Sequence, residues 1–197
     1  MNGNFNTVNG FHSLETIVAA AKLVLLCGDI TEQGTDAIVN APNPGLMGGG
    51  GVDGAIHKKG GADILEECKV IRETYYPDGL PAGQAIITTG GYLKAKKVIH
   101  TVGPVWHGGI NNEPKVLAMA YKNCLKVALN NGIKTISFPS ISTGAYGYPV
   151  EKASKIAIQA VIGFLRENKG IEEVRFILHS SYDLQIYEEA LKSKKSN

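Results

Sequence analysis

Apolar residues recur along this chain in two alternating patterns, short runs typical of buried strands and longer one-sided stretches typical of helices. The clearest helix covers 150–168, where Ala153, Ala157, Val161 and Phe164 share one face. Alternation of strands and helices predicts an α/β fold with a mainly parallel sheet covered on both faces. The predicted strands are 22–27, 36–40, 84–88, 97–102, 135–138 and 174–178, and the predicted helices are 52–60, 62–75, 114–130, 150–168 and 182–192.

The length of 197 residues suits one domain with a sizeable core. Residues 1–16 are rich in Asn and Gly and weakly patterned, which predicts a loose lead-in with a short edge strand. We therefore expect a lead-in at 1–21, a domain at 22–192 and a tail at 193–197.

Composition and charge narrow the class of protein. The net charge is +2 with no long basic run, which disfavours a sequence-specific nucleic-acid binder. Cys27, Cys68 and Cys124 form no C-x-x-C pair, which favours free thiols in a reducing, cytoplasmic compartment. The apolar segment 17–26 is short and contains Lys22, so we expect no signal peptide, no membrane span and no membrane partner.

Four consecutive glycines, at 48–51, lie between the strand at 36–40 and the helix at 52–60. Glycine lets backbone N–H groups approach a ligand closely, and the helix N-terminus adds partial positive charge. The loop therefore predicts a phosphate cradle. Residues 49–54 also fit the dinucleotide fingerprint G-x-G-x-x-G, but eight residues separate them from the strand, which disfavours that motif and a hydride-transferring dehydrogenase.

A second loop rich in Gly and Ser, at 139–149, runs from the strand at 135–138 into the long helix. In parallel sheets ligands bind at the carboxyl ends of strands, where both loops lie. Two such loops predict a diphosphate held from both sides. Tyr146 stands among small residues, where it is placed to cover a sugar or to pack beside Pro149.

Five motifs, in order, resemble the macrodomain family: residues 28–31, 36–43, 48–57, 98–106 and 140–149. The likeness covers roughly 22–191, and the third and fifth motifs resemble the MacroD-type branch. That branch includes hydrolases of O-acetyl-ADP-ribose and of ADP-ribose on acidic side chains. The resemblance implies a three-layer α/β/α fold with a mixed, mainly parallel sheet, and ADP-ribose as ligand.

The resemblance also implies which residues bind the ligand. Asp29 would accept a hydrogen bond from the adenine amine, with the Ile30 amide nearby; without the resemblance, a turn or cap Asp is the alternative. The residues that would hold one phosphate are Gly49, Gly50, Gly51 and Val52. Those that would hold the other are Ser142, Thr143, Gly144, Ala145 and Tyr146.

At the distal ribose, Asn40 and Asn43 resemble the paired asparagines of the family, and Asn43 would contact the ribose hydroxyls. Asp53 would position a water there. His57 lies four residues further on, which places it on the same helix face as Asp53 and able to tune that carboxylate. A packing or surface role is the alternative for His57.

The sequence departs from the family pattern at three places. Pro42 replaces a residue with a backbone donor, so any ligand contact through that amide is lost. Where the family often has an aromatic residue stacking on adenine, this chain has His179, so either His179 or Tyr182 would take that place. Lys58 and Lys59 stand where the family more often has Arg-Ala, and both are expected to face solvent.

The leading hypothesis is a hydrolase of ADP-ribosyl esters, namely mono-ADP-ribosylated Asp or Glu on proteins and O-acetyl-ADP-ribose. The alternatives are a non-catalytic ADP-ribose reader and an ADP-ribose 1″-phosphate phosphatase. His12, His100 and His107 lack metal-ligand spacing, so no metal or cofactor is expected, and His100 is interpreted as structural. ADP-ribosylated proteins are the expected partners, and the chain is expected to be a monomer.

Overall fold

A computed structural model describes residues 4–8 and 11–194, with side chains from 13 to 194. The strands are β1 (Asn4–Val8), β2 (Phe11–Val18), β3 (Ala21–Cys27), β4 (Ala37–Asn40), β5 (Ala85–Thr89), β6 (Lys97–Thr101), β7 (Thr135–Phe138) and β8 (Glu173–Leu178). The helices are α1 (Gly51–Gly60), α2 (Ala62–Tyr75), α3 (Glu113–Asn130), α4 (Val150–Glu167) and α5 (Ser181–Ser193), with a short 3-10 helix at Ile30–Glu32.

The strands form one mixed sheet in the order β1-β2-β3-β8-β7-β4-β6-β5. The five central strands, from β3 to β6 in that order, pair in parallel, and the outer pairs are antiparallel. Parallel strands end at the same edge of a sheet. The loops that leave β3, β4, β6, β7 and β8 therefore all open at one edge, which is where ligands bind in such folds.

The sheet carries helices on both faces because its central strands are apolar on both sides. In β4, Ala37 and Val39 face the core shared with α3, α4 and α5, whereas Ile38 faces the core shared with α1 and α2. In β6, Ile99 and Val98 divide in the same way. This is the three-layer α/β/α arrangement with a mixed, mainly parallel sheet, and that prediction is confirmed.

The predicted elements from residue 22 onward are all present, with ends shifted by one residue at most. The last helix runs to Ser193, so the predicted tail begins inside it, and residues 195–197 lie outside the described part. Among the described residues, no helix is long and apolar enough to cross a membrane.

The N-terminal segment contains the short edge strand that the sequence predicts, but its described residues belong to the sheet rather than to a loose lead-in. Strands β1 and β2 pair with each other, and β2 pairs with β3, so the sheet continues into this segment. Leu14 and Val18 are buried in the main core, as is the polar Thr16, whereas the apolar Ile17 faces outward. This mixture of types on each face hides the period-two pattern from a sequence search. Residues 1–3 and 9–10 lie outside the described part.

Candidate active site

Asp53 lies in the first turn of α1 and is only 3% exposed. Its Oδ1 accepts a hydrogen bond from Asn40 Nδ2 at 2.7 Å. Its Oδ2 is buried and has no partner among the described residues. A buried carboxylate oxygen without a donor is unusual, because losing water without a replacement hydrogen bond costs free energy. The position therefore suits a ligand or water that supplies the missing hydrogen bond.

The surroundings of Asp53 favour its ionised form. Burial acts to raise the pKa of this carboxyl, but the nearby His57 ring and the Asn40 N–H outweigh burial and hold the pKa below its usual range. His57 Nε2 lies 3.4 Å from Asp53 Oδ1, close but without hydrogen-bond geometry. The predicted pairing of Asp53 and His57 on one helix face is therefore present in the structure.

Asn43 turns its side chain toward the same point. Its Oδ1 accepts a hydrogen bond from the Gly45 amide at 2.8 Å, which leaves its Nδ2 as the free end. A Cβ placed on Gly49 would lie 3.6 Å from Asn43 Nδ2 and 3.0 Å from Asp53 Oδ2. Asn43 and Asp53 thus present a donor and an acceptor beside Gly49, and Asn43 is exposed to solvent.

Asn40, the other asparagine of the predicted pair, lies deeper in the protein than Asn43. It ends β4, is fully buried, and uses its amide nitrogen for Asp53 and for His100 Nδ1 at 3.1 Å. Its Oδ1 is buried and accepts no hydrogen bond from the part of the chain that the structure describes. The structure thus places Asn40 beneath Asp53 rather than on the open side where the resemblance would put a ligand contact.

The glycine loop has the free amides that its sequence predicts. The amides of Gly51, Val52 and Asp53 precede the first intrahelical bond of α1, which runs from the Gly54 amide to Gly50, and no side chain in the described ranges caps this helix. Gly51 adopts a φ of +60°, which strongly favours glycine. The helix start therefore presents unpaired N–H groups, the usual setting for an anion.

The second loop is held by its own hydrogen bonds and by the loop after β6. The amides of Gly147 and Tyr148 donate to Gly144 and Ser142, and the Trp106 amide donates to Tyr146. Within the described part of the chain, no backbone acceptor takes the amides of the residues between, Thr143, Gly144, Ala145 and Tyr146. These four amides match the second phosphate contact that the resemblance implies.

Ser142 has a strained backbone for a residue with a side chain, with a φ of +69°. Its Oγ is buried and has no partner among the described residues. A Cβ on Gly103 would lie 2.1 Å from that oxygen, so only glycine fits there. Strain of this kind is common where a loop is shaped for a ligand.

Tyr146 lies in the second loop, near enough to Asp53 for that charge to affect its hydroxyl. It packs against the core beneath α1 and α2. Partial burial and the charge of Asp53 both raise the pKa of Tyr146, which keeps its hydroxyl protonated. Trp106 and Tyr148 pack beside this loop, with ring centroids 4.4 Å apart, as expected for packing residues.

At the other end of the sheet's carboxyl edge, Asp29 follows β3 and caps the short 3-10 helix. Its Oδ1 accepts hydrogen bonds from the Thr31 amide at 2.8 Å and the Thr31 hydroxyl at 2.7 Å. Slight burial opposes ionisation, but these hydrogen bonds lower the pKa of Asp29. Asp29 is exposed and Ile30 is buried, so Asp29 is a capping residue whose Oδ2 has no hydrogen bond within the described chain.

The two candidates for adenine stacking differ in their surroundings. His179 directly follows β8, is exposed, and lies close enough to Asp29 to lower that residue's pKa. The Tyr182 hydroxyl donates to Glu151 Oε1 at 2.7 Å, which holds Tyr182 against α4. Both side chains are exposed to solvent. Lys59 is half exposed and pairs with Glu32.

Pro42, which the sequence analysis singled out, is buried. Two features of the site escaped the sequence analysis. His100 contacts Asn40. A Cβ on Gly54 would lie 2.4 Å from the Gly49 carbonyl oxygen, so α1 packs directly against the loop. The position of His100 opposite Asn40 would follow only from knowing that β4 and β6 are neighbours. No cluster of three or more metal-ligating side chains exists among the described residues.

Comparison with known proteins gives the family. The Macro domain family model matches residues 39–157. A Macro domain-containing protein of Caldanaerobacter subterraneus is 56% identical over 169 residues, which cover 86% of this chain and 95% of that protein. A protein of Enterobacter cloacae named O-acetyl-ADP-ribose deacetylase is 49% identical over 164 residues, covering 83% of this chain and 90% of its own.

Solved structures agree with the sequence relatives. A macrodomain of Oceanobacillus iheyensis with ADP superposes with a TM-score of 0.91 at 42% identity, over 94% of this chain and 98% of that chain. Further structures of that macrodomain include an asparagine-to-alanine variant and an aspartate-to-alanine variant ten residues further along. On the family model, the relatives and the shared fold together, this chain belongs to the Macro domain family.

Proposed function

We propose that this chain binds ADP-ribose along the carboxyl edge of the sheet and hydrolyses ADP-ribosyl esters with a positioned water. The observation that carries the proposal is Asp53 Oδ2, a buried, unpartnered oxygen of an ionised carboxylate beside the free amide of Asn43. The expected substrates are mono-ADP-ribosylated Asp or Glu side chains of proteins and O-acetyl-ADP-ribose.

Binding follows from the two sets of free amides. The start of α1 and residues 143–146 offer N–H groups from two sides, which suits a diphosphate. The adenine would lie toward Asp29 and His179, with the Oδ2 of Asp29 accepting from its amine. The distal ribose would lie at Asn43 and Asp53.

Catalysis would rest on positioning. Hydrolysis adds one water across the ester bond and releases ADP-ribose and a carboxylic acid. The Oδ2 of Asp53 would accept a hydrogen bond from that water and orient its attack, and Asn43 Nδ2 would hold a ribose hydroxyl. A low pKa makes Asp53 a weak base, so most of the rate effect would come from geometry. His57 would support the charge of Asp53.

The relatives support both parts of the proposal. Several are named O-acetyl-ADP-ribose deacetylase, and solved relatives contain ADP or ADP-ribose. Asn43 and Asp53 are ten residues apart, the same spacing as the two positions changed to alanine in the Oceanobacillus macrodomain. This match adds weight to Asn43 and Asp53 as the residues that act on the substrate.

The test compares Asp53→Ala with Asp63→Ala. Asp63 also lies in the first turn of a helix but is exposed on α2, so it controls for loss of a charge at a helix N-terminus. Asp53→Ala is expected to lower kcat on both ester substrates by about 100-fold or more. ADP-ribose should bind the wild type with a Kd near about 1 μM, measured by calorimetry, and Asp53→Ala should weaken it less than it lowers kcat.

Three results would contradict the proposal in different ways. Absence of ADP-ribose binding to the wild type would remove it entirely. Intact binding without turnover of either ester would make the chain a reader module. Full turnover by Asp53→Ala would remove the proposed role of Asp53, and His57→Ala measured alongside would show whether His57 acts through that carboxylate.

A further inference from the structure

His100 is a polar side chain in the middle of the core, at the register position opposite Asn40 in the neighbouring strand. It is completely buried. Its Nδ1 lies 3.1 Å from Asn40 Nδ2, and its Nε2 lies 2.8 Å from the Thr88 hydroxyl. Cys68 Sγ lies 3.9 Å from the same Nε2. Each ring nitrogen therefore has a polar neighbour.

The hydrogen bonds assign a tautomer to the ring. Asn40 Nδ2 carries only donors, so the Nδ1 of His100 must accept. The proton then lies on Nε2, which donates to the Thr88 hydroxyl, and that hydroxyl donates to the Thr89 carbonyl at 3.1 Å. Burial lowers the pKa of His100 to about 3, and the neutral ring required by this arrangement is thus the stable one.

The same contact sets the orientation of the Asn40 amide. One N–H of Asn40 reaches Asp53 Oδ1 and the other reaches His100 Nδ1. A flipped amide would direct its oxygen at the Asp53 carboxylate and at the acceptor nitrogen of His100, and both contacts would be repulsive. His100 thereby favours the one orientation of Asn40 that donates to Asp53.

We propose that His100 is a positioning residue that acts through Asn40 to hold the Asp53 carboxylate with Oδ1 inward and Oδ2 free toward the substrate. The chain of contacts runs from Thr89 through Thr88, His100 and Asn40 to Asp53. Its effect on turnover rests on the proposed function. Its effect on the geometry and ionisation of Asp53 does not.

Two amide substitutions separate positioning from simple support of the fold. In His100→Asn the side-chain oxygen lies close to the former place of Nδ1 and accepts from Asn40. In His100→Gln the amide lies near the former place of Nε2, which keeps the link to Thr88 and loses the acceptor for Asn40. If His100 positions Asn40, His100→Gln should lower kcat more than His100→Asn does. If His100 only supports the fold, His100→Asn should be the more harmful replacement.

The kinetic readout is kcat on O-acetyl-ADP-ribose together with the Kd for ADP-ribose. We expect His100→Gln to lower kcat by about 10- to 100-fold, the scale of a displaced catalytic group, with the Kd changed by less than about threefold. His100→Asn should recover most of this loss. Cys68→Ala removes the other group beside the ring and serves as a control with wild-type kcat.

A measurement on Asp53 itself keeps the inference testable if the wild type proves inactive. Carbon-13 NMR titration of Asp53 should show its pKa raised in His100→Gln and restored in His100→Asn, because a misplaced Asn40 no longer donates to the carboxylate. The other titratable groups facing Asp53 are His57, Tyr146 and Cys68, unchanged in both variants.

If neither His100 variant folds, Thr88→Val replaces them. It removes the acceptor for Nε2–H, so one of the two hydrogen bonds that fix the ring is lost while the contact with Asn40 remains, and the Asp53 pKa should rise by a smaller amount. An unchanged Asp53 pKa in a folded His100→Gln or Thr88→Val protein would overturn the inference. Equal loss of kcat in the Asn and Gln variants would overturn it as well.

Discussion

At the scale of single residues, two aspartates of the site differ in their surroundings. Asp53 has a buried oxygen without a partner among the described residues, whereas Asp29 is exposed and already serves as a helix cap. The cap uses only Oδ1 of Asp29. The structural and the ligand-binding interpretations of Asp29 are therefore compatible, because each needs a different oxygen.

A pair of Asp29 variants separates its role as a helix cap from the proposed contact with adenine. Asp29→Ala is expected to weaken ADP-ribose binding by about 1.5–3 kcal/mol, the scale of a hydrogen bond to a charged group. Asp29→Asn keeps an acceptor for the Thr31 amide, so its melting temperature should stay near that of the wild type while it loses the charged acceptor for adenine. Calorimetry with ADP-ribose and GDP-ribose measures the effect. Wild-type affinity in Asp29→Asn, or equal affinity of the wild type for both nucleotides, would reduce Asp29 to a cap.

At the scale of elements, the starts of α1 and α4 lie at the carboxyl edge and each follows a loop rich in small residues. These helices also contain glycines in very different surroundings. Gly54 in α1 lies against the glycine loop, and a Cβ there would meet the Gly49 carbonyl oxygen at 2.4 Å. A Cβ on Gly163 in α4 would meet nothing within 4 Å. Of these two glycines, only Gly54 therefore lies at a close contact between a helix and a loop of the site.

The two helix glycines make a matched test. Gly163→Ala should stabilise the protein by about 0.5–1 kcal/mol, because alanine loses less backbone entropy in a helix, and ADP-ribose affinity should be unchanged. Gly54→Ala should lower both the melting temperature and the affinity, because the loop backbone must shift. Thermal unfolding and calorimetry measure both. A stabilising Gly54→Ala substitution would show that the loop does not depend on this contact.

At the scale of the whole molecule, one sheet joins the N-terminal hairpin to the strands that carry the site. Leu14 on β2 is 2% exposed within the main core, and its neighbour Ile17 is 57% exposed. We propose that the domain begins within this hairpin rather than at residue 22. The proposal concerns stability, because the described contacts of the site come from strands β3 to β8, their loops and α1.

Leu14 and Ile17 test where the domain begins. Leu14→Ala should cost about 2–4 kcal/mol of unfolding free energy, through lost burial and the cavity left behind. Ile17→Ala should change it by less than about 0.5 kcal/mol, as for exposed positions in general. Urea unfolding of both variants gives the values. Equal, small effects would restore the interpretation of this segment as a loose lead-in.

The sequence by itself determined the local features of this protein. Hydrophobic periodicity predicted the strands and helices from residue 22 onward, since alternation and helical spacing depend on backbone geometry over a few residues. The glycine run predicted a loop with free amides. The four-residue spacing of Asp53 and His57 in one helix predicted that the two side chains lie close together. Each of these inferences needs only short-range geometry. The period-two pattern failed at β2, because burial there placed Thr16 inward and Ile17 outward.

Only the tertiary structure decided what lies beneath the site. Asn40 and His100 are sixty residues apart and meet because β4 and β6 are neighbours in the sheet. Strand order follows from packing two cores around the sheet, which no local pattern specifies. The same packing placed His100 behind Asn40 and left Asp53 Oδ2 without a partner among the described residues. It also brought the Tyr182 hydroxyl to Glu151 and His179 close to Asp29. The physical reason is that these contacts join residues distant in sequence, so the whole core must form before they exist.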